Sequence, residues 1–291
     1  MASREFNPVF TSLPTTVFEK MSRLAAEHHS INLGQGFPDT QLQGPQSMLQ
    51  EVHRSQIEDG NQYPPMMGVP ALRTAIAAHS ARHTSLPLDP ATQVLITVGA
   101  TEALAATFLS LLCPGDEAIV FTPLYDSYLP MIRLAGATPR TVTLHPPQWS
   151  IDPQELEAAF NPKTKLIVIN TPHNPTGKVF TLQELQHIAT LCVQYDSYGV
   201  LDEVYEHLVY PKVAKHSTMR ALPGMEERCV RIGSAGKTFS FTDFKVGWVT
   251  GPVPMVAAIA KCHQFITFTV NSALQRAVAW GLDHEEGFYT K

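Results

Sequence analysis

Five short apolar runs rich in branched side chains recur along the chain: VLITV (94–98), AIVF (118–121), LIVIN (166–170), GVLDEV (199–204) and VRIG (230–233). Each is strand-length, and the apolar residues are consecutive rather than alternating. A strand of that kind needs cover on both faces. Between the runs lie segments with helical spacing and helix-start signals. Asp152-Pro153-Gln154-Glu155 offers a cap residue, a proline at the first helical position and an acid in the first turn, and Thr181-Leu182-Gln183-Glu184 reads as a capping box. GVPALRTAIAAHSARH predicts a helix from about 70 to 83. Strands alternating with helices imply an α/β fold with a mainly parallel or mixed central sheet and helices on both faces. Before about residue 50 the chain, with INLGQGFPDTQLQGP, reads as an irregular arm.

Composition narrows the function classes. The chain has 291 residues, 44% hydrophobic and 16% charged, with a formal net charge of −5. That length is ample for a large core and compatible with about two domains. A negative balance without a basic run argues against nucleic acid or an anionic membrane as partner. No apolar run is long enough to span a bilayer, and the start, MASREFNPVF, lacks a signal-type apolar region. Cys113, Cys192, Cys229 and Cys262 are spread without a C-x-x-C pair, which suits free thiols in a reduced, cytoplasmic setting. Among 12 histidines, His79 and His83 are one helical turn apart, but there is no H-E-x-x-H and a solvated polar face is the expectation. No metal is expected.

The chemistry concentrates in GSAGKTFSFTDFK (233–245), which holds two lysines eight residues apart. A nucleotide P-loop fails because its leading glycine falls on Arg231. Ser234-x-x-Lys237 matches an S-x-x-K acyl-transfer pair, but S-D-N and K-T-G are absent from the sequence. The remaining reading is a lysine that forms a Schiff base with a carbonyl cofactor, whose phosphate the second lysine holds.

In open parallel sheets ligands gather beyond the carboxyl ends of the strands. After VLITV come Gly99, Ala100, Thr101 and Glu102, followed by a helix expected to start near Ala103; the small residues suit either a phosphate or a plain tight turn. After LIVIN, the loop from Asn170 to Gly177 carries two asparagines able to donate. Asp202 interrupts an apolar strand and reads equally as an ion-paired or capping acid or as the partner of a protonated ring nitrogen. Tyr205 lies three residues on, and Tyr125 follows a proline turn as a candidate stacking ring or a packed one.

These motifs, with TTVFEKMSRLA (15–25), YPPMMGVPALR (63–73), NTPHNPTGKV (170–179), LDEVYEHLVY (201–210) and HQFITFTVNSALQ (263–275), give the chain its family likeness. It resembles the pyridoxal-phosphate-dependent class I/II aminotransferases of fold type I, most of all the methionine and kynurenine aminotransferase branch. The resemblance implies that Lys237 is the Schiff-base lysine and proton carrier, and that Asp202 holds the pyridinium proton. It implies Tyr205 and Asn174 on the ring oxygen, Tyr125 stacked on the ring, and Ala100, Thr101, Ser234 and Lys245 on the phosphate. Asn170, Asn174 and Gly36 would lie near the substrate carboxylate, with Phe18 in an apolar side-chain pocket. Tyr63 would reach the phosphate of a neighbouring subunit, implying a homodimer.

The implied activity is transfer of an amino group from an apolar, aromatic or sulfur-containing amino acid to a 2-oxo acid, with cysteine-conjugate β-elimination or a non-catalytic cofactor-binding form as alternatives. The implied organisation is an N-terminal arm or small-domain segment over 1–50 and a large cofactor domain over 51–291, without the C-terminal small domain whose arginine pairs with the substrate carboxylate. One further departure is Asp243, where the family pattern T-G-W-K becomes Thr242-Asp243-Phe244-Lys245. It is either a negative charge that weakens the phosphate grip or a harmless loop substitution.

Overall fold

The computed structural model describes residues 6–34, 36, 44–210 and 212–290. The chain divides into two compact units, Met1–Gln43 and Gly44–Lys291. In the first, helices α1 (Pro8–Thr11) and α2 (Val17–Glu27) replace the irregular arm expected there. The Thr16 side chain caps α2 by accepting from the Glu19 amide at 3.2 Å. That cap lies upstream of the Gly- and Pro-dense stretch from which the irregular arm was inferred.

Among the described residues the second unit holds helices α3 (Gln46–Glu58), α4 (Pro70–Thr84), α5 (Gly99–Leu111), α6 (Tyr128–Leu134), α7 (Pro153–Ala159), α8 (Leu182–Gln194), α9 (Ala235–Thr238), α10 (Val253–Ile266), α11 (Ser272–His284) and α12 (Glu286–Tyr289). Its strands are β1 (Val94–Val98), β2 (Glu117–Thr122), β3 (Thr138–His145), β4 (Ser150–Ile151), β5 (Thr164–Asn170), β6 (Tyr198–Asp202), β7 (Cys229–Ser234) and β8 (Val246–Thr250). They form one sheet in the order β1-β8-β7-β6-β5-β2-β3-β4. Strands β2, β3, β5, β6 and β7 are mutually parallel, and β8 runs antiparallel to both β1 and β7, so β1 shares the common direction.

Successive residues of each strand feed opposite faces. Val120, Val168, Val200 and Val230 pack with Leu104, Phe108, Ile132 and Val256 of α5, α6 and α10. Their neighbours Ile119, Ile167, Ile169 and Leu201 pack with Leu156, Leu185 and Ile188 of α7 and α8. This is why the runs read as continuously apolar. A third core joins Val94, Ile96 and Trp248 to Met48, Leu72, Ile76 and Val278 of α3, α4 and α11.

The predicted caps form. Asp152 accepts from the Gln154 amide at 2.9 Å, and Thr181 and Glu184 exchange both bonds of a capping box, at 2.8 and 3.2 Å. No helix among the described residues is long and apolar enough to cross a membrane, and all four cysteines are unpaired.

Candidate active site

Because β1, β2, β5, β6 and β7 point the same way, the residues at their carboxyl ends collect along one edge of the sheet. Asn170 ends β5 directly opposite Asp202, which ends β6. Ser234 ends β7, Gly99 follows β1, and Tyr125 follows β2.

Asp202 is 4% exposed. Its Oδ2 accepts from the Tyr128 hydroxyl at 2.5 Å, while its Oδ1 has no hydrogen-bond partner. Burial pushes its carboxyl up to about 6 and Glu203 adds to this, with the Tyr128 hydroxyl, the Val204 amide and the Lys237 ammonium opposing. A carboxylate so placed calls for a cationic partner. Tyr128 itself is held well above the usual phenol range by burial and by the same Asp202.

Lys237 stands in the single turn of α9, begun by Ser234, whose Oγ accepts from the Gly236 amide at 3.2 Å. The Lys237 ammonium lies 5.5 Å from the centre of the Tyr205 ring. Burial lowers its pKa and Lys245 adds to this, with Asp202 opposing. A larger share is therefore free amine near neutral pH, as proton transfer requires.

Tyr205 hydrogen-bonds the Asn174 side chain, and burial, Asp202 and Tyr125 raise its pKa. Asn170 fixes the loop that carries Asn174: its Nδ2 donates to the Asp202 carbonyl at 2.9 Å and its Oδ1 accepts from the Asn174 amide at 2.6 Å. Tyr125 meets Tyr128 edge to face, ring centres 5.7 Å apart.

Helix α5 begins at Gly99, four residues earlier than the sequence suggests, because Gly99 adopts the left-handed φ of +70° that turns the strand directly into the helix. Ala100 and Thr101 are therefore in the first turn, where amides have no helical acceptor. A side chain at Gly99 would meet the Lys245 ammonium at 3.2 Å, and one at Gly247 would meet the Ala100 nitrogen at 2.7 Å. A lysine beside the positive end of a helix is favourable only when an anion joins them.

Lys237, Asp202, Tyr205, Asn174, Asn170, Tyr125, Ser234, Lys245, Ala100 and Thr101 thus share this edge. Phe18, in α2, and Gly36 belong to the first unit. Tyr63 is 81% exposed, with its ring edge-on to Phe268 at 5.6 Å. Asp243 is exposed, and among the described residues no ion pair joins it to Lys245.

Sequence reasoning missed Tyr128, although it stands three residues after Tyr125 in PLYDSY, a spacing that carries a second phenol around one turn. It also missed Glu102, whose carboxylate accepts from the Val98 amide and faces buried His263 at 3.1 Å, pinning the start of α5.

Residues 28–290 match the family described as Aminotransferase class I and II. The chain belongs to the class I and II aminotransferases. It is 44% identical over 276 residues to a probable N-succinyldiaminopimelate aminotransferase of Mycobacterium tuberculosis, covering 94% of this chain and 69% of that one. It is 40% identical to the methionine aminotransferase of Escherichia coli, over 95% of this chain and 71% of the relative. Human kynurenine–oxoglutarate transaminase 3 is 42% identical over 92% of this chain, which spans 61% of the human protein. The solved structure of N-succinyldiaminopimelate aminotransferase from M. tuberculosis superposes with a TM-score of 0.94 at 42% identity, covering 98% of this chain and 74% of that one. The mixed sheet with helices on both faces is the fold type I architecture of these enzymes.

Proposed function

We propose that this aminotransferase works with pyridoxal 5′-phosphate and takes its amino group from an apolar, aromatic or sulfur-containing donor of the methionine kind. The observation that carries the cofactor reading is Asp202, a buried carboxylate with one unpartnered oxygen, held above its usual range although the nearby Lys237 ammonium acts against that rise. The methionine and kynurenine relatives support the donor class.

When bound, the cofactor supplies an electron sink for the donor's α-carbon. Asp202 keeps the ring nitrogen protonated, Tyr205 and Asn174 donate to the ring oxygen, and Tyr125 lies against the ring. Lys245, the amides of Ala100 and Thr101, and the Ser234 hydroxyl hold the phosphate. Ser234 Oγ accepts from Gly236 and still has its own hydrogen to give. Lys237 holds the cofactor and then, as free amine, takes the proton from the donor's Cα. Asn170 and Asn174 are assigned to the donor carboxylate as hydrogen-bond donors, and Gly36 and Phe18, both in the first unit, keep the substrate roles that the resemblance gives them. In this reading Tyr63 serves a second copy of the chain, which its exposure permits.

The test is borohydride reduction of the cofactor-loaded chain followed by peptide mass mapping. The pyridoxyl label is expected on Lys237 and should be missing from Lys237→Ala, whose turnover with methionine falls by at least about 10³-fold. A label elsewhere, or an unchanged rate in Lys237→Ala, sinks the assignment.

A further inference from the structure

Three imidazoles meet where α4, the segment after β6 and α12 come together. His79 and His83 stand one turn apart on α4, and His207 arrives from the far side of the sequence. The ring centres are 4.5 Å apart for His79 and His83, 5.0 Å for His79 and His207, and 4.9 Å for His83 and His207. His79 Nε2 is 2.9 Å from His207 Nε2, and one ring nitrogen from each histidine lies within 4.8 Å of the others. The face of α4 that the sequence suggests is solvated is packed instead: His79 is 3% exposed, and the His207 and His83 side chains are 9% and 23% exposed. Tyr289 of α12 lays its ring against His207 at 4.4 Å and closes one side.

We propose that His79, His83 and His207 form a binding site for one divalent transition-metal ion of the zinc type. Three neutral imidazoles with a fourth position open to water are a donor set that zinc accepts. The hydrogen bond between the His79 and His207 Nε2 atoms places one proton on one of them, and that ring must change tautomer for both atoms to ligate. Zinc–nitrogen bonds of about 2.0–2.1 Å set tetrahedral ligand nitrogens roughly 3.3 Å apart, so the close pair opens by only a few tenths of an ångström.

The rim already carries compensating charge. Glu286 Oε1 is 3.2 Å from His83 Nε2, and Glu206 Oε1 is 3.9 Å from His207 Nε2. Glu206 faces the same His207 nitrogen that meets His79, so it balances the charge of a bound cation rather than orienting the ring from its other nitrogen. Arg231 opposes a cation, but Glu203 and Glu206 already pair with it. The partly exposed His83 provides the entry. A metal here would tie α4 and α12 to the segment that follows Asp202 and Tyr205. A neutral hydrogen bond between His79 and His207 is the simpler account of that pair, and it leaves the convergence of the third ring unexplained.

The experiment titrates the tag-free, chelator-dialysed 291-residue chain with zinc chloride by calorimetry and with cobalt chloride by visible absorption, alongside His83→Gln and His207→Gln. Expected are one zinc per chain, a higher melting temperature at saturation, cobalt d–d bands, and at least about tenfold weaker binding in each variant. Absence of stoichiometric binding, or equal affinity in both variants, overturns the proposal and assigns any uptake to surface histidines such as His28 and His29. If a variant does not fold, carbethoxylation of the unaltered chain decides. Saturating zinc should protect His83 from the reagent, and full labelling of His83 under zinc overturns the site.

Discussion

Asp202 and Glu203 are neighbours in sequence, both almost fully buried, yet their surroundings act on them in opposite directions. Burial disfavours the charge of each. At Asp202 burial prevails and the carboxyl rises to about 6. At Glu203 burial is outweighed by Arg231, whose Nε lies 2.5 Å from Glu203 Oε2, and the carboxyl falls below its usual range. Glu206, 2.8 Å from the same guanidinium, falls to about 2. Glu203 and Glu206 thus pair directly with a guanidinium, although Glu203 Oε1 has no hydrogen-bond partner, whereas Asp202 is hydrogen-bonded by neutral groups and feels the Lys237 ammonium without pairing to it. What differs between the two carboxylates is direct pairing with a cation, which, among the described residues, Glu203 has and Asp202 lacks.

The sharpest way to break this contrast is Arg231→Met. Removing one partner of a buried ion cluster leaves uncompensated charge, and a loss of about 3–5 kcal/mol is expected, or roughly 10 °C in melting temperature by calorimetry. Adding Glu203→Gln and Glu206→Gln to it should recover much of that loss. A change under about 1 kcal/mol would mean that the network is not what holds this region.

Asp202→Asn should move stability the other way. The carboxyl has a usual value of 3.8 and about 6 in the fold, so the folded chain is penalised for ionising it. The penalty is absent below about pH 4, grows towards pH 6 and is complete above it, on the order of 2–3 kcal/mol. Without cofactor, the variant should therefore be more stable than the unaltered chain at pH 7 and equal to it at pH 4, while binding pyridoxal phosphate more weakly. Equal stability at both pH values would remove the physical basis for reading Asp202 as a waiting partner. The Arg231 network has the opposite signature: Glu206, lowered to about 2, contributes stability above its usual range that is lost as pH falls towards 2.

How much of this was legible in the sequence follows from range. β1 and the centres of β2, β5, β6 and β7 were readable because a doubly covered strand needs consecutive apolar residues. β3 was not, because TPRTVTLH lies near the sheet's edge, where five of its eight residues are exposed. β8 carries two glycines' worth of breaker signal around it, Gly247 and Gly251, although Gly247 is required by the approach of Ala100. Asp202 and Lys237 stood out because a charge within an apolar strand and a lysine in a small-residue turn are local anomalies. Tyr128 on Asp202, and His207 beside His79, are contacts across 74 and 128 residues, and spacing along the chain does not encode them.

The smallest expected effect concerns Asp243, the departure nearest the phosphate end of the site. Residues Thr242–Phe244 make one 3-10 turn, and Lys245 then adopts a left-handed conformation at φ +50°, ψ +44°. That reversal turns the lysine back towards Gly99 and leaves Asp243 exposed, so water and salt separate the two charges. Asp243→Asn should therefore change pyridoxal-phosphate affinity by less than about threefold, within the roughly 0.5 kcal/mol typical of exposed charges, and the difference should shrink further in salt. Lys245→Gln, which removes the cation itself, should cost more. If Asp243→Asn instead tightened binding tenfold with little salt dependence, the acid would be acting on the phosphate seat directly, and this edge of the site would resemble the Arg231 network, with its charge balance already set by the chain.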